Sequence, residues 1–111
     1  MWICLNNAFF SIVNPEVAGE DGKLLVRARR RGDIERYFKG AKVKKTPERD
    51  YLFRATVPAE TVSAVIAKAI QSINYGNFKN SVANHELHDA YSEVWGTMSR
   101  VQESPPYGES L

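Results

Sequence analysis

The 111-residue chain has one cysteine and no long hydrophobic run, and these scarcities exclude several classes of protein. A single thiol, Cys4, excludes an intramolecular disulfide and makes a four-ligand structural zinc site hard to build. No apolar stretch approaches the roughly 18 residues that span a bilayer. The segment 1–13 carries no lysine or arginine, so it is a poor secretory signal. We therefore expect a protein of the reducing cytoplasm that does not enter a membrane.

What the chain does contain is typical of a soluble globular protein. Its 43% hydrophobic content is too high for a disordered chain, and its length suits one core rather than two. We predict a single domain over residues 1–102. A flexible tail follows at 103–111, where Pro105-Pro106 cannot continue a helix.

Alternating and helical hydrophobic patterns predict the order β-β-β-α-(β)-β-α-α. The predicted strands are 2–5, 8–13, 24–30, 42–45 and 51–57; helices are predicted from Asp33 to Gly40, from Pro58 to before Asn74, and over 84–102. Asn6-Asn7 is a plausible two-residue hairpin turn. This order predicts an α+β two-layer domain, with a mostly antiparallel sheet covered by amphipathic helices. Its central β-α-β-α portion is a candidate half of a ferredoxin-like fold.

The net charge of +2 conceals a strong asymmetry along the chain. Residues 23–54 contain 12 basic and 4 acidic residues, a net charge of +8, and the rest of the chain carries 3 basic and 9 acidic residues, a net charge of −6. Such a separation can steer an anionic partner to one side of a small protein. The alternative interpretation is that these residues only solvate loops and edge strands.

Three arginines form the candidate anion-binding site. Alternation predicts that Arg27, Arg29 and Arg54 leave the sheet on the face opposite the core. A guanidinium group binds phosphate or carboxylate through two parallel hydrogen bonds, so three of them favour an anion site. Neighbouring cations are expected to extend it: Arg30, Arg31, Lys42, Lys44 and Lys45. The alternative is that the arginines pair internally with Asp33, Glu48, Asp50 or the acidic last helix.

The positions of the aromatic residues indicate whether the anion site could also stack nucleic-acid bases. Sheets that read RNA display aromatic side chains on which bases stack. Alternation along 51–57 places Tyr51 and Phe53 on the face opposite Arg54, which argues against base stacking here.

Little in the sequence indicates catalysis. His85 and His88 occur as H-E-x-H, one residue short of the zinc-protease motif, and no third ligand is evident. Cys4 is expected to be a buried, unreactive thiol in an apolar strand. Asp33 is expected to cap its helix at an exposed position. No nucleophile motif or phosphate-binding glycine loop is present, so we expect neither a cofactor nor a metal site.

Five segments together resemble a family of small bacterial proteins without an assigned function. They are Met1-Trp2 with Phe10-Ser11, Leu25-Val26-Arg27-Ala28-Arg29, Asp50-Tyr51-Leu52-Phe53-Arg54, Tyr75-Gly76-Asn77-Phe78-Lys79, and Ala90-Tyr91 with Val94-Trp95. The resemblance implies a free-standing cytoplasmic protein. It carries no catalytic residue, cofactor or partner that can be transferred to this chain.

Three functional hypotheses follow from the sequence. The leading one is a non-enzymatic binding protein whose basic surface engages an acidic protein or a nucleic-acid backbone. Its size and split charge would also suit a phage-type inhibitor of a nucleic-acid-binding complex. The second is a small hydrolase or nuclease that places His85, His88 or Asp89 near the arginines. The third is a homodimer that joins the basic middle of one chain to the acidic end of another.

Overall fold

The computed structural model describes residues 1–17 and 19–104, and it divides the chain into two compact units. The first unit comprises residues 1–74, and the second begins at Tyr75. The predicted tail lies outside the described residues except for Glu103 and Ser104.

Five strands of the first unit form one sheet, and every pairing in it is antiparallel. The sheet order is β1-β2-β3-β5-β4. The elements are β1 (Trp2–Leu5), β2 (Ala8–Val13), β3 (Lys23–Ala28), α1 (Asp33–Tyr37), β4 (Lys44–Lys45), β5 (Phe53–Pro58) and α2 (Ala59–Gln71). The predicted α+β class and its mostly antiparallel sheet are confirmed. The hairpin turn at Asn6-Asn7 is also confirmed, because Leu5 pairs with Ala8.

Both helices of the first unit pack on the same face of the sheet, here called the core face. Alternation places every second strand residue on it, as expected for a half-buried sheet. The buried residues of this core are Ala8, Phe10, Ile12, Val26, Ala28, Ile34, Phe38, Phe53, Ala55, Val57 and Val62. Phe10 and Phe38 meet edge to face, with ring centroids 5.4 Å apart. Burial of large apolar side chains, at about 2 kcal/mol each, stabilises this packing.

The turn between β3 and α1 depends on glycine and on a buried carboxylate. Gly32 has a φ of 91°, a left-handed conformation that glycine adopts without strain. The sequence-based expectation that Asp33 is an exposed cap is wrong, because Asp33 is 1% exposed and begins the helix itself. Its carboxylate accepts hydrogen bonds from the Phe9 amide, Arg30 and Arg36. Asp33 therefore ties the helix to β2.

Several predicted boundaries shift by one to three residues. β3 ends at Ala28 and β5 begins at Phe53, so Arg29 and Tyr51 lie outside the strands. Pro58 ends β5 and precedes α2, so it is not the first helical residue. The edge strand β4 is confirmed but is only two residues long. Its two lysines discourage pairing with another sheet.

The apolar stripe of α2 is only partly buried. Val62 is buried, Val65 and Ile66 are half-buried, and Ile70 and Ile73 remain exposed. The N-terminal part of the stripe therefore provides the contact with the sheet.

The second unit consists of an aromatic loop, a short 3-10 helix (Lys79–Ser81) and α3 (His85–Ser99). Asn84 caps α3, because its side-chain oxygen accepts a hydrogen bond from the Leu87 amide. Phe78 packs against Tyr91, with ring centroids 5.2 Å apart. Only the N-terminal part of the predicted α3 stripe is buried. Its exposed members are Val94, Trp95, Met98 and Val101.

No helix in the ranges 1–17 and 19–104 combines the length and the hydropathy needed to cross a bilayer.

Candidate anion-binding site

The face of the sheet opposite the core carries the predicted arginines. Arg27 on β3 lies directly opposite Arg54 on β5, and Ser11 on β2 lies directly opposite Arg27. These three residues define what we call the arginine face. Neither α1 nor α2 covers it, because both pack on the core face.

One cross-strand row on the arginine face runs through all five strands. In sheet order it contains Trp2, Ser11, Arg27, Arg54 and Lys44, each paired with the next. Neighbouring strands lie about 4.8 Å apart, so the row spans roughly 19 Å. It therefore joins an aromatic side chain at one edge to cations at the other.

Tyr51 belongs to the arginine face, so its predicted place on the core face is wrong. The guanidinium carbons of Arg27 and Arg29 lie 4.6 Å and 4.2 Å from the centre of its ring. Tyr51 precedes β5 in an irregular segment, so strand alternation does not fix the direction of its side chain. Both arginines gain cation–π contacts with one buried ring.

Only one arginine of this group pairs with a carboxylate in the described part of the chain. Arg54 Nη2 lies 2.9 Å from Asp50 Oδ1. Arg29 donates instead to the backbone carbonyl of Asp50 at 3.0 Å, and Arg27 donates to Ser11 Oγ at 2.5 Å. Three guanidinium groups thus face one carboxylate, a local formal charge of +2. Among Arg27, Arg29 and Arg54, and within the described ranges, the alternative of internal pairing applies to Arg54 alone.

These guanidinium groups have hydrogen-bonding capacity that the described residues do not use. The Nε atoms of Arg27 and Arg54 are buried and have no acceptor there. A guanidinium group carries five N–H donors, and each of these two side chains donates one described hydrogen bond. Because both Nε atoms are shielded from solvent, the Nη groups of these arginines are the donors left for an incoming oxyanion.

The residues expected to extend the site do not all join it. Arg30 pairs with the buried Asp33 at 2.9 Å, which gives it a structural role. The guanidinium carbon of Arg31 lies 5.3 Å from the ring centre of Phe53, a residue of the core face. Lys44 is exposed and continues the row beyond Arg54, whereas Lys45 pairs in register with Phe53. Of the extension, only Lys44 is placed in the row with Arg27 and Arg54.

Two aromatic residues of the arginine face were missed by sequence reasoning. Trp2 is 72% exposed, and its ring meets that of Phe9 edge to face at 6.3 Å. Phe9 lies two residues before Ser11 on β2 and therefore on the same face. Both faces of β2 are largely apolar, so its alternation did not reveal which one meets the core.

Cys4 also lies on this face, opposite Phe9 in the register. The expectation of a buried thiol is wrong, because the residue is exposed. Partial burial of the sulfur nevertheless raises the pKa of the Cys4 thiol above its usual range. The thiol is therefore accessible but weakly ionised at neutral pH.

The histidines lie on α3 in the second unit. His85 Nε2 is 3.3 Å from Asp89 Oδ2, and both side chains are exposed. Within the described ranges, no three histidine, cysteine or acidic side chains are grouped closely enough to hold a metal ion. The hydrolase hypothesis therefore gains no geometric support from this cluster.

Comparisons with known proteins return no match: no protein-family model, curated protein or solved structure is similar to the chain. The motif resemblance therefore stays a prediction, and functional inference depends on the site itself.

Proposed function

We propose that this protein is a non-enzymatic binding protein that uses the arginine face to engage an anionic partner. One observation supports the proposal most directly. Arg27 and Arg29 gather on the ring of Tyr51, beside Arg54, with a single carboxylate among their described partners.

The surroundings of the arginines favour binding because they restrict the side chains before a ligand arrives. Ser11 holds Arg27, the backbone carbonyl of Asp50 holds Arg29, and Tyr51 contacts both. A restrained guanidinium group loses less conformational entropy when it binds an oxyanion. Mutual repulsion among the three positive charges also falls when an anion arrives. Preorganisation and charge therefore both favour the binding of an anion.

The test is a binding titration with two base-free polyanions, inorganic polyphosphate and polyglutamate. We expect binding that weakens steeply between 50 mM and 200 mM salt, because surface electrostatic attraction is screened. The variant R27Q/R29Q/R54Q should bind at least about tenfold more weakly. A charge-matched control, K39Q/K68Q/R100Q, removes three exposed cations that are not members of the cross-strand row and should retain most of the affinity.

Three results would contradict the proposal: no binding of either polyanion, a salt-independent affinity, or an equal loss in the control variant. If the triple variant unfolds, the single variant R29Q replaces it. Arg29 is exposed and follows β3, so its loss should leave the sheet intact. An unchanged affinity of folded R29Q would then exclude Arg29 from the site.

A further inference from the structure

We infer that the anionic partner is a single-stranded nucleic acid, with phosphates on the guanidinium groups and a base stacked on Trp2. This inference rests on the proposed function and names the partner class of the same surface. The observation that carries it is the cross-strand row, which places an exposed indole in line with Arg27 and Arg54.

The row has the spacing and the chemistry of a polynucleotide site. Trp2 lies two strands from Arg27 and three from Arg54, distances of about 10 Å and 14 Å across the sheet. Phe9 supports the indole from one side, while 72% of Trp2 stays exposed. A base can stack on this ring while the adjoining backbone crosses the arginines. Sheets that bind RNA accommodate two or three bases in this manner.

A second planar group is available beside the row. Arg29 is exposed and lies over the ring of Tyr51. Guanidinium planes stack on unpaired bases as aromatic rings do. Arg29 can therefore contribute both charge and a stacking surface.

A single strand fits this face better than a duplex or an acidic protein. In a duplex the faces of the bases are already stacked, so Trp2 would find only the backbone. An acidic protein surface would engage the arginines but supplies no regular sequence of flat rings for Trp2. A single strand supplies phosphates and rings along one chain, which matches the composition of the row.

The first measurement is the affinity for labelled 12-nucleotide strands, followed by fluorescence anisotropy. The probes are oligo(dT), oligo(U) and a DNA duplex of the same length, with unlabelled polyphosphate as a base-free competitor. We expect both single strands to bind more tightly than the duplex, and their ratio reports any preference for RNA or DNA. W2A should weaken single-strand binding between about fivefold and 150-fold, because stacking on one aromatic side chain contributes about 1–3 kcal/mol per base.

Two control variants separate stacking from folding. W2F keeps an aromatic ring and should retain most of the affinity. W95F replaces the other tryptophan, which is on α3, and should bind as the unsubstituted protein does. In W95F, Trp2 is the sole tryptophan, so quenching of its fluorescence by oligo(dT) but not by polyphosphate would report direct stacking. Each variant is first checked for an unchanged melting temperature.

The possible results separate base stacking on Trp2 from anion binding by the arginine face in general. If W2A binds oligo(dT) and oligo(U) as tightly as the unsubstituted protein, stacking on Trp2 is excluded while the anion site stands. If the duplex binds as tightly as the single strands, the single-strand assignment is wrong. If polyglutamate binds but no nucleic acid does, the partner is an acidic protein. If no polyanion binds at all, the inference and the proposed function both fail.

Discussion

Arg27 and Arg54 lie directly opposite each other on neighbouring antiparallel strands, although both carry a positive charge. Like charges in facing positions destabilise a sheet. Here Ser11 accepts a hydrogen bond from one guanidinium group, and Asp50 pairs with the other. A single carboxylate therefore offsets only part of the repulsion between the two guanidinium groups. An additional anion would relieve the remaining repulsion.

Replacing the carboxylate should separate stability from affinity. D50N keeps an oxygen that can accept the Tyr51 amide hydrogen bond but removes the charge beside Arg54. Asp50 is 67% exposed, so we expect a loss of only about 0.5 kcal/mol in unfolding free energy. The affinity for polyphosphate should instead rise about threefold, because the competing negative charge is gone. Urea unfolding and a binding titration measure the two effects.

The control for this change is E48Q, which removes one exposed negative charge from the same loop. E48Q should change the unfolding free energy and the affinity for polyphosphate much less than D50N does. A fall in affinity for D50N would show that Asp50 organises the site rather than competing with the ligand.

The ring of Tyr51 should be required for both packing and binding. Y51A removes a ring that is 4% exposed and contacts Arg27 and Arg29, so we expect a loss of about 3 kcal/mol in unfolding free energy. Y51F keeps the ring and should restore both stability and affinity for polyphosphate. Denaturant unfolding and anion titration test the pair of variants, and a Y51F protein as defective as Y51A would show that the hydroxyl group matters more than the ring.

Asp33 should contribute to stability without affecting the binding face. D33N leaves Arg30 and Arg36 without their buried carboxylate and weakens the contact with the Phe9 amide. We expect a loss of about 3 kcal/mol, near the lower range for a broken buried ion pair because both arginines are partly exposed.

Glu35 provides the matched control, since it is an exposed acidic residue of the same helix. Thermal unfolding of E35Q should be nearly unchanged. If D33N and E35Q have the same melting temperature, the hydrogen bonds of Asp33 do not stabilise the fold.

Cys4 offers a chemical footprint of the binding face. Because its pKa is raised, the thiolate fraction at pH 7.5 is below that of a free cysteine, and alkylation by iodoacetamide should be slower. The rate should increase as pH rises through the elevated pKa. Saturating oligo(dT) should slow it further, because Cys4 lies on the same face as Trp2. Mass spectrometry of the alkylated protein gives these rates, and alkylation unaffected by bound oligonucleotide would place the strand away from β1.

The sequence predicted the elements that have a regular period. Alternation in β3 correctly separated Val26 and Ala28 from Arg27, because a strand with one buried face has a period of two. The same rule failed at Tyr51, which precedes the strand and is positioned by hydrogen bonds from its loop. Thr46 Oγ1 donates to the Tyr51 carbonyl at 2.8 Å, a contact within the loop that no periodic pattern reports.

Long-range partners explain the other differences. Asp33 accepts the amide of Phe9, a residue 24 positions earlier, so its burial could not be inferred from its own helix. Trp2 entered the candidate site only through the register of β1 with β2. Charge and alternation identified the arginines in the sequence. The aromatic residues Trp2 and Phe9 could be assigned to the same face only once the pairing of β1 with β2 was known.

The arginine face is assembled from segments that only folding brings together. Residues 28 and 53 pair across β3 and β5, so the intervening chain must close before Arg27 meets Arg54. An unfolded chain lacks this arrangement, and a ligand that selects it adds to the free energy of the native state by mass action. At a ligand concentration one hundred times its Kd, that linkage is worth about 2.7 kcal/mol. A shift in melting temperature can therefore screen candidate ligands before any partner has been isolated.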